Sequence, residues 1–325
     1  MKASSTVHYD PRFIEEAVFQ APLDRTAALE LRESRNRIYE VPDSERRDDL
    51  FNDLNRFWFS RLGLGKIIDQ TLLEQAIIPA QVEKCFVVRA SHRKQEGAEL
   101  FVAEDRHGAG RPIRTLRILL RPESLFEPET LITLLRHELF HIADMLDHGF
   151  AYEQVLPKAE GGPTYDTLVT SRYRVLWDTT ISGRMTRRGW HDQSVRERQL
   201  TEFAGAFPML QDRLEESFSR FFDCEHPRHA DLAQFAFDPR QASGSLQQYA
   251  APGTHCPLCR FPTQVFETFL SEDEEAVSAA VKQDFPGWSA SEGLCVQCAD
   301  LYRGRRLSMA ALRALPGYKP TSVQE

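Results

Sequence analysis

The sequence predicts an α+β fold: a mainly helical domain with a small, largely antiparallel sheet, followed by a small C-terminal cysteine-bearing module. Three observations predict it. Apolar residues recur at helical spacing over 11–78, 128–148 and 168–221, three short runs rich in β-branched and aromatic residues lie between 85 and 120, and four of the six cysteines form two C-x-x-C pairs near the end.

Leu50, Phe51, Leu54, Phe57 and Trp58, then Leu72, Leu73 and Ile77, predict two or more helices within 11–78. CFVVRA (85–90), ELFVA (99–103) and TLRILL (115–120) are separated by polar turns holding Gly97, Gly108, Gly110 and Pro112, which predicts the strands of one sheet. The period then changes. Pro128, Glu129 and Thr130 open a helix whose apolar stripe is Leu131, Leu134, Leu135, Leu139, Ile142 and Leu146. A loop with Pro157, Gly161, Gly162 and Pro163 precedes helices over Leu168–Met185 and from Ser194 to Pro208, continuing through Leu214 and Phe218. Trp177, Ile181 and Met185 read as core. The stretch PRQASGSLQQYAAPGT reads as a linker, so the expected organisation is a domain over 1–238, a linker over 239–254 and a module over 255–325.

At 325 residues, 42% apolar and 10% aromatic, the chain can bury a sizeable core. Its net charge of -8 and pI near 5.8 offer no broad attraction to phosphate backbones or anionic lipid, so nucleic acid is not an expected partner, local patches such as Arg303, Arg305 and Arg306 aside. There is no run of 18 apolar residues, and MKASSTVHYDPRF lacks the apolar core of a secretory signal, so the expected location is the cytoplasm and no membrane partner is expected. Paired cysteines suit a reducing compartment, where they more often hold metal than form disulfides.

The motif that carries chemistry is HELFH, 137–141, inside the helix at 128–148. Residues four apart stand one above the other on a helix, so His137 and His141 can present two imidazole nitrogens to one ion. Glu138 points about 100° away and can reach a water in the open coordination position. Such an ion lowers the water's pKa from about 15.7 toward about 7, and a carboxylate so placed can take the proton as the water attacks a carbonyl carbon. The alternative is an ordinary stretch of helix. The position directly after a β-rich run, and the cost of burying His137 and Glu138 without partners, favour the metal.

LITLLRHELFHIADMLD resembles the active-site helix of the zincin metallopeptidases, and RILLRP resembles the strand that precedes it. The resemblance spans about 85–210. It implies a catalytic zinc on His137 and His141, with Glu138 as general base, and leaves the third ligand open. Where the metzincin pattern has its glycine and third histidine, this chain has Asp144 and Asp147. His148 continues the stripe, but about 10 Å of helical rise separates it from His141. Asp144 reads as an acceptor orienting a ligating imidazole, or as a surface acid. In gluzincins the third ligand is a glutamate on a later helix, and RERQLTEFAGAFPML offers Glu197 and Glu202. Glu202, among Phe203, Ala204, Gly205, Ala206 and Phe207, is favoured because a carboxylate in apolar surroundings needs a partner, zinc or an arginine such as Arg184. Glu197, Asp178, Asp147 and His148 are the other candidates. Tyr165, Tyr173, Arg184 and His191 are candidate oxyanion donors.

CPLC (256–259) and CVQC (295–298) can bring Cys256, Cys259, Cys295 and Cys298 onto one tetrahedral zinc, a closed structural site. The 35 residues between the pairs include EDEEAVSAAVKQDF, which predicts an inserted helix. Cys224, His226 and His229 form a looser group interrupted by Pro227 and read as structural, as does Cys85 within its strand. The expected activity is therefore a zinc-dependent peptidase with one catalytic and one structural zinc, acting on a peptide or protein, with the module available to a protein partner. Two alternatives are a protease acting at DNA that resembles the SprT or Spartan type, and a degenerate zincin-like adaptor. The compactness of the former family and the acidic charge of this chain weigh against the first; retention of Glu138 weighs against the second.

Overall fold

The computed structural model describes residues 6–103, 112–156, 163–192, 194–239, 255–263, 266–267 and 272–314. The chain forms two compact units interleaved along the sequence: Met1–Tyr152, Thr180–Glu197 and Phe222–Arg228 make the first, and Glu153–Thr179, Arg198–Phe221 and His229–Glu325 the second. The expected linker residues 240–254 lie outside the described residues, as do 157–162 of the expected Gly/Pro loop.

The first unit begins with β1 (Thr6–Tyr9) and α1 (Pro11–Gln20), whose start is set by Pro11 and by Asp10, which accepts the Arg12 N–H at 3.0 Å. Next come α2 (Arg25–Tyr39), α3 (Ser44–Arg61), α4 (Lys66–Glu74) and α5 (Ile77–Gln81), with Asp24 and Asp43 capping α2 and α3 through their carboxylates. The strands β2 (Lys84–Arg89), β3 (Gly97–Ala103) and β4 (Ile113–Leu120) then lead into α6 (Pro128–Leu146). The α+β class holds, and the helices and strands fall where periodicity places them; β1, four residues without a clear alternation, is additional.

The four-stranded sheet has the order β1-β2-β4-β3 and is mixed, not largely antiparallel: β1–β2 and β2–β4 are parallel, and β3–β4 is antiparallel. Although β3 lies between β2 and β4 in sequence, it takes the outer edge, which leaves β4 to pair with β2. On one sheet face Cys85, Val87, Leu116, Ile118 and Leu120 are buried and join Leu131, Leu135, Leu139 and Ile142 of α6 and Phe13, Trp58 and Ile68 of the N-terminal helices in one core. That apolar stripe orients α6.

Helix α7 (Pro163–Arg187) enters the first unit at Thr180. Gly183 within it meets the chain at Phe222 so closely that an added Cβ would lie 1.7 Å from the Phe222 carbonyl oxygen. One turn later Arg187 donates to that same oxygen at 2.7 Å and to the Cys224 carbonyl oxygen at 3.0 Å. A Gly183→Ala variant is expected to lose more than about 3 kcal/mol of stability, since the obstacle is backbone and cannot swing aside. Urea denaturation checks this, and an unchanged midpoint would refute the close approach.

In the second unit, α8 (Ser194–Ala206, from Arg198), α9 (Leu214–Phe222, to Phe221) and α10 (His229–Phe237) gather Phe203, Phe207, Phe218, Phe221 and Phe235, with ring centroids 4.7 Å apart for Phe203–Phe207 and Phe221–Phe235. The C-terminal module comprises β5 (Phe266–Glu267), α11 (Glu272–Asp284), β6 (Leu294–Cys295) and α12 (Val296–Ala314), with β5 antiparallel to β6. The inserted helix is thus present. Val277, Val281, Trp288, Leu294, Ala299 and Tyr302 form a small core around Cys256 and Cys295. Among the described residues no helix is long and apolar enough to cross a membrane.

Candidate metal centre

The apolar stripe of α6 faces the core, which leaves His137, Glu138 and His141 half-buried on its flank. The imidazole centroids of His137 and His141 are 4.9 Å apart, as one helical turn requires. Glu138 is oriented from two directions. Its Oε2 accepts the Ala98 N–H of β3 at 3.2 Å, and its Oε1 lies 3.4 Å from His137 Nδ1. Gly97 permits this approach: a Cβ there would lie 3.0 Å from Oε2. Burial pushes the Glu138 carboxyl up, but the His137 hydrogen bond, the charges of His137 and His141 and the Ala98 amide together hold it below the ordinary carboxylate range.

The carboxylate grouped with the two histidines is Asp178, on α7 less than one turn before Thr180. His137, His141 and Asp178 each offer one ligand atom, and these atoms all lie within 4.8 Å of one another. Ligands of a tetrahedral zinc with bonds of about 2.0–2.2 Å are about 3.3–3.6 Å apart, a spacing of the same order as that bound. The three residue types are all zinc ligands, and the group fits the ion.

Glu202, favoured on sequence, is not in this group. The premise of an enclosed carboxylate fails because Thr201 and Glu202 lie on the exposed face of α8, while Phe203 and Phe207, four apart, turn inward. Glu197, Asp147 and His148 are exposed as well, and Asp147 Oδ1 accepts the Gly149 N–H at 2.9 Å where α6 ends. Asp144 is not a surface acid. It is buried, and both its oxygens accept from Arg184, at 2.7 and 2.6 Å. Three of the candidate oxyanion donors are already engaged: Arg184 with Asp144, the Tyr165 hydroxyl donating to the Phe237 carbonyl oxygen at 2.6 Å, and the Tyr173 hydroxyl against His229 Nδ1 at 2.7 Å. His191 is half-buried just past α7.

Cys256, Cys259, Cys295 and Cys298 form the second group, with their sulfurs within 4.8 Å of one another. Cys259 and Cys295 Sγ are 3.7 Å apart, close to the edge of about 3.8 Å for a tetrahedron with zinc–sulfur bonds of about 2.3 Å. Burial pushes the Cys256 thiol up, yet backbone N–H groups, those of Leu258 and Cys259 among them, outweigh it and bring it down to about 7. The Cys298 N–H lies 3.4 Å from Cys295 Sγ in the second knuckle. Cys224, His226 and His229 make no metal group among the described residues, and Cys85 is a buried thiol that burial pushes up to about 12.

Sequence reasoning ranked Asp178 only as a reserve. A sequence signal exists: Asp178 shares a helical face with Ile181 and Met185, three and seven residues on, which read as core and are fully buried. A scan against protein-family models, a search of curated proteins and a search of solved structures each returned no match.

Proposed function

We propose that this chain is a zinc-dependent peptidase in which His137, His141 and Asp178 hold the catalytic zinc and Glu138 is the general base. The grouping of two imidazoles and a carboxylate beside a separately anchored glutamate carries the reading. What zinc supplies there is Lewis acidity toward water and toward a carbonyl oxygen. Glu138 does the proton work: a carboxyl of ordinary acidity is already ionised at neutral pH, and the Ala98 amide fixes one oxygen so that the carboxylate keeps its direction.

The edge strand supports a peptide as substrate. Because the Ala98 N–H turns to Glu138, it is not spent on β4, and alternation in an antiparallel ladder turns the backbone groups of Leu100 and Val102 outward too. No described strand pairs with that edge. An extended peptide can therefore hydrogen-bond along β3 and present its backbone carbonyls toward Glu138.

The parent chain is expected to contain two zinc ions and to cleave a fluorescence-quenched peptide library. A His137→Ala variant should hold one ion, in the cysteine module, and lose cleavage. One ion in both proteins by elemental analysis would remove the catalytic site.

A further inference from the structure

A cleft of about 430 Å³ lies beside the C-terminal turns of α6, and every residue that lines it belongs to the first unit. That volume is within the range of small-ligand sites. Phe140, Ala143, Ile77 and Pro227 supply apolar wall, and the remaining walls are polar. Each carboxylate among them already has a donor. Asp144 takes Arg184, Glu225 Oε2 takes Arg187 at 3.0 Å, and Asp147 Oδ1 takes the Gly149 N–H.

Not all the donors are so engaged. Arg188 and Arg228 are exposed, and neither has a carboxylate partner among the described residues. The Arg188 guanidinium is held 4.7 Å from the Phe140 ring centroid and 5.2 Å from that of Trp190, which steadies it while leaving its edge N–H groups available. Gln75 is 7% exposed, and its Nε2 has no hydrogen-bond partner. With Asp144 and Glu225 neutralised and histidine counted as neutral, the cleft retains Arg188 and Arg228 against Asp147: two cations less one anion, a net charge of +1.

We propose that this cleft binds the C-terminal carboxylate of a peptide, with the terminal apolar side chain against Phe140 and Ile77. Unspent donors call for an acceptor-rich ligand. A single residual positive charge matches a monoanion and leaves a phosphate dianion overcharged, and a planar carboxylate suits the two-pronged edge of a guanidinium held beside aromatic rings. The inference stands apart from the zinc reading, because no zinc ligand lines the cleft.

The test titrates N-acetylphenylalanine and N-acetylphenylalaninamide into the full chain carrying His137→Ala, which prevents the carboxylate from binding the proposed catalytic metal, and follows the heat of binding. The carboxylate should bind at millimolar concentration or below, the amide about tenfold or more weakly, and 10 mM inorganic phosphate should not displace the carboxylate. Arg188→Gln or Arg228→Gln should weaken the carboxylate about tenfold and leave the melting temperature unchanged, since both residues are exposed. Equal binding of acid and amide, displacement by phosphate, no binding of the acid at 10 mM, or indifference to both arginine variants would each overturn the proposal. Loss of peptidase activity alone would not touch it.

Discussion

Glu138→Gln is expected to lower peptide hydrolysis by about 10²–10⁴-fold while both metal ions stay bound. Glutamine keeps the length of the side chain and a carbonyl oxygen that can still accept the Ala98 N–H, so the link between α6 and β3 survives. What disappears is the negative charge and the ability to receive a proton. The substitution therefore separates the base from its scaffold. Glu138→Ala does not, because it also leaves the Ala98 amide without its acceptor and opens space over Gly97. The variant should retain KM within a few-fold and two ions by elemental analysis, with the loss in kcat. A variant as fast as the parent would mean that Glu138 holds β3 and takes no part in chemistry. One that releases an ion would show that it supports the metal site itself.

The parts of this molecule legible in the sequence are those governed by periodicity and by local spacing. Helix α6 is set by the stripe from Leu131 to Leu146, HELFH by its i, i+4 histidines, and the module by two C-x-x-C pairs that need no long-range information. Three features depend on three-dimensional placement and are not legible in this way. Strand order is one: alternation marks β2, β3 and β4 as strands but does not say that β3 goes to the edge, so it does not predict the parallel β2–β4 pair. Helix phase is another. Apolar neighbours along the chain made Glu202 look enclosed, although 100° per residue carries it outward while Phe203 and Phe207 go in, and the same count applied to Asp178 would have ranked it higher. The third is close approach. A glycine in the middle of ISGRM costs helix stability of about 1 kcal/mol relative to alanine, which signals a reason without naming it; the reason is the Phe222 carbonyl.

The four-cysteine module should unfold when its metal is removed, and Cys256→Ser should do this selectively. Among the described residues its core is small, eight residues of which two are the cysteines Cys256 and Cys295, and its sheet is two strands of two residues each. So little apolar surface does not offset the conformational entropy of the segments it joins, whereas zinc bound by four thiolates contributes about 10–16 kcal/mol in small zinc peptides, nearly all of it coupled to folding. Cys256 is the more sensitive choice because it is fully buried in that core and its sulfur collects the knuckle's backbone N–H groups. Hydrogen exchange on the full chain should show amide protection in α11 and the described turns of α12 falling about 10³-fold in the variant, equivalent to about 4 kcal/mol. Strands β2 and β4 of the first unit should keep their protection, and one ion should remain at His137, His141 and Asp178. Protection retained in α11 and α12 after the metal is lost would show that Val277, Val281, Trp288 and Tyr302 hold the module without it, and the cysteines would then need another explanation.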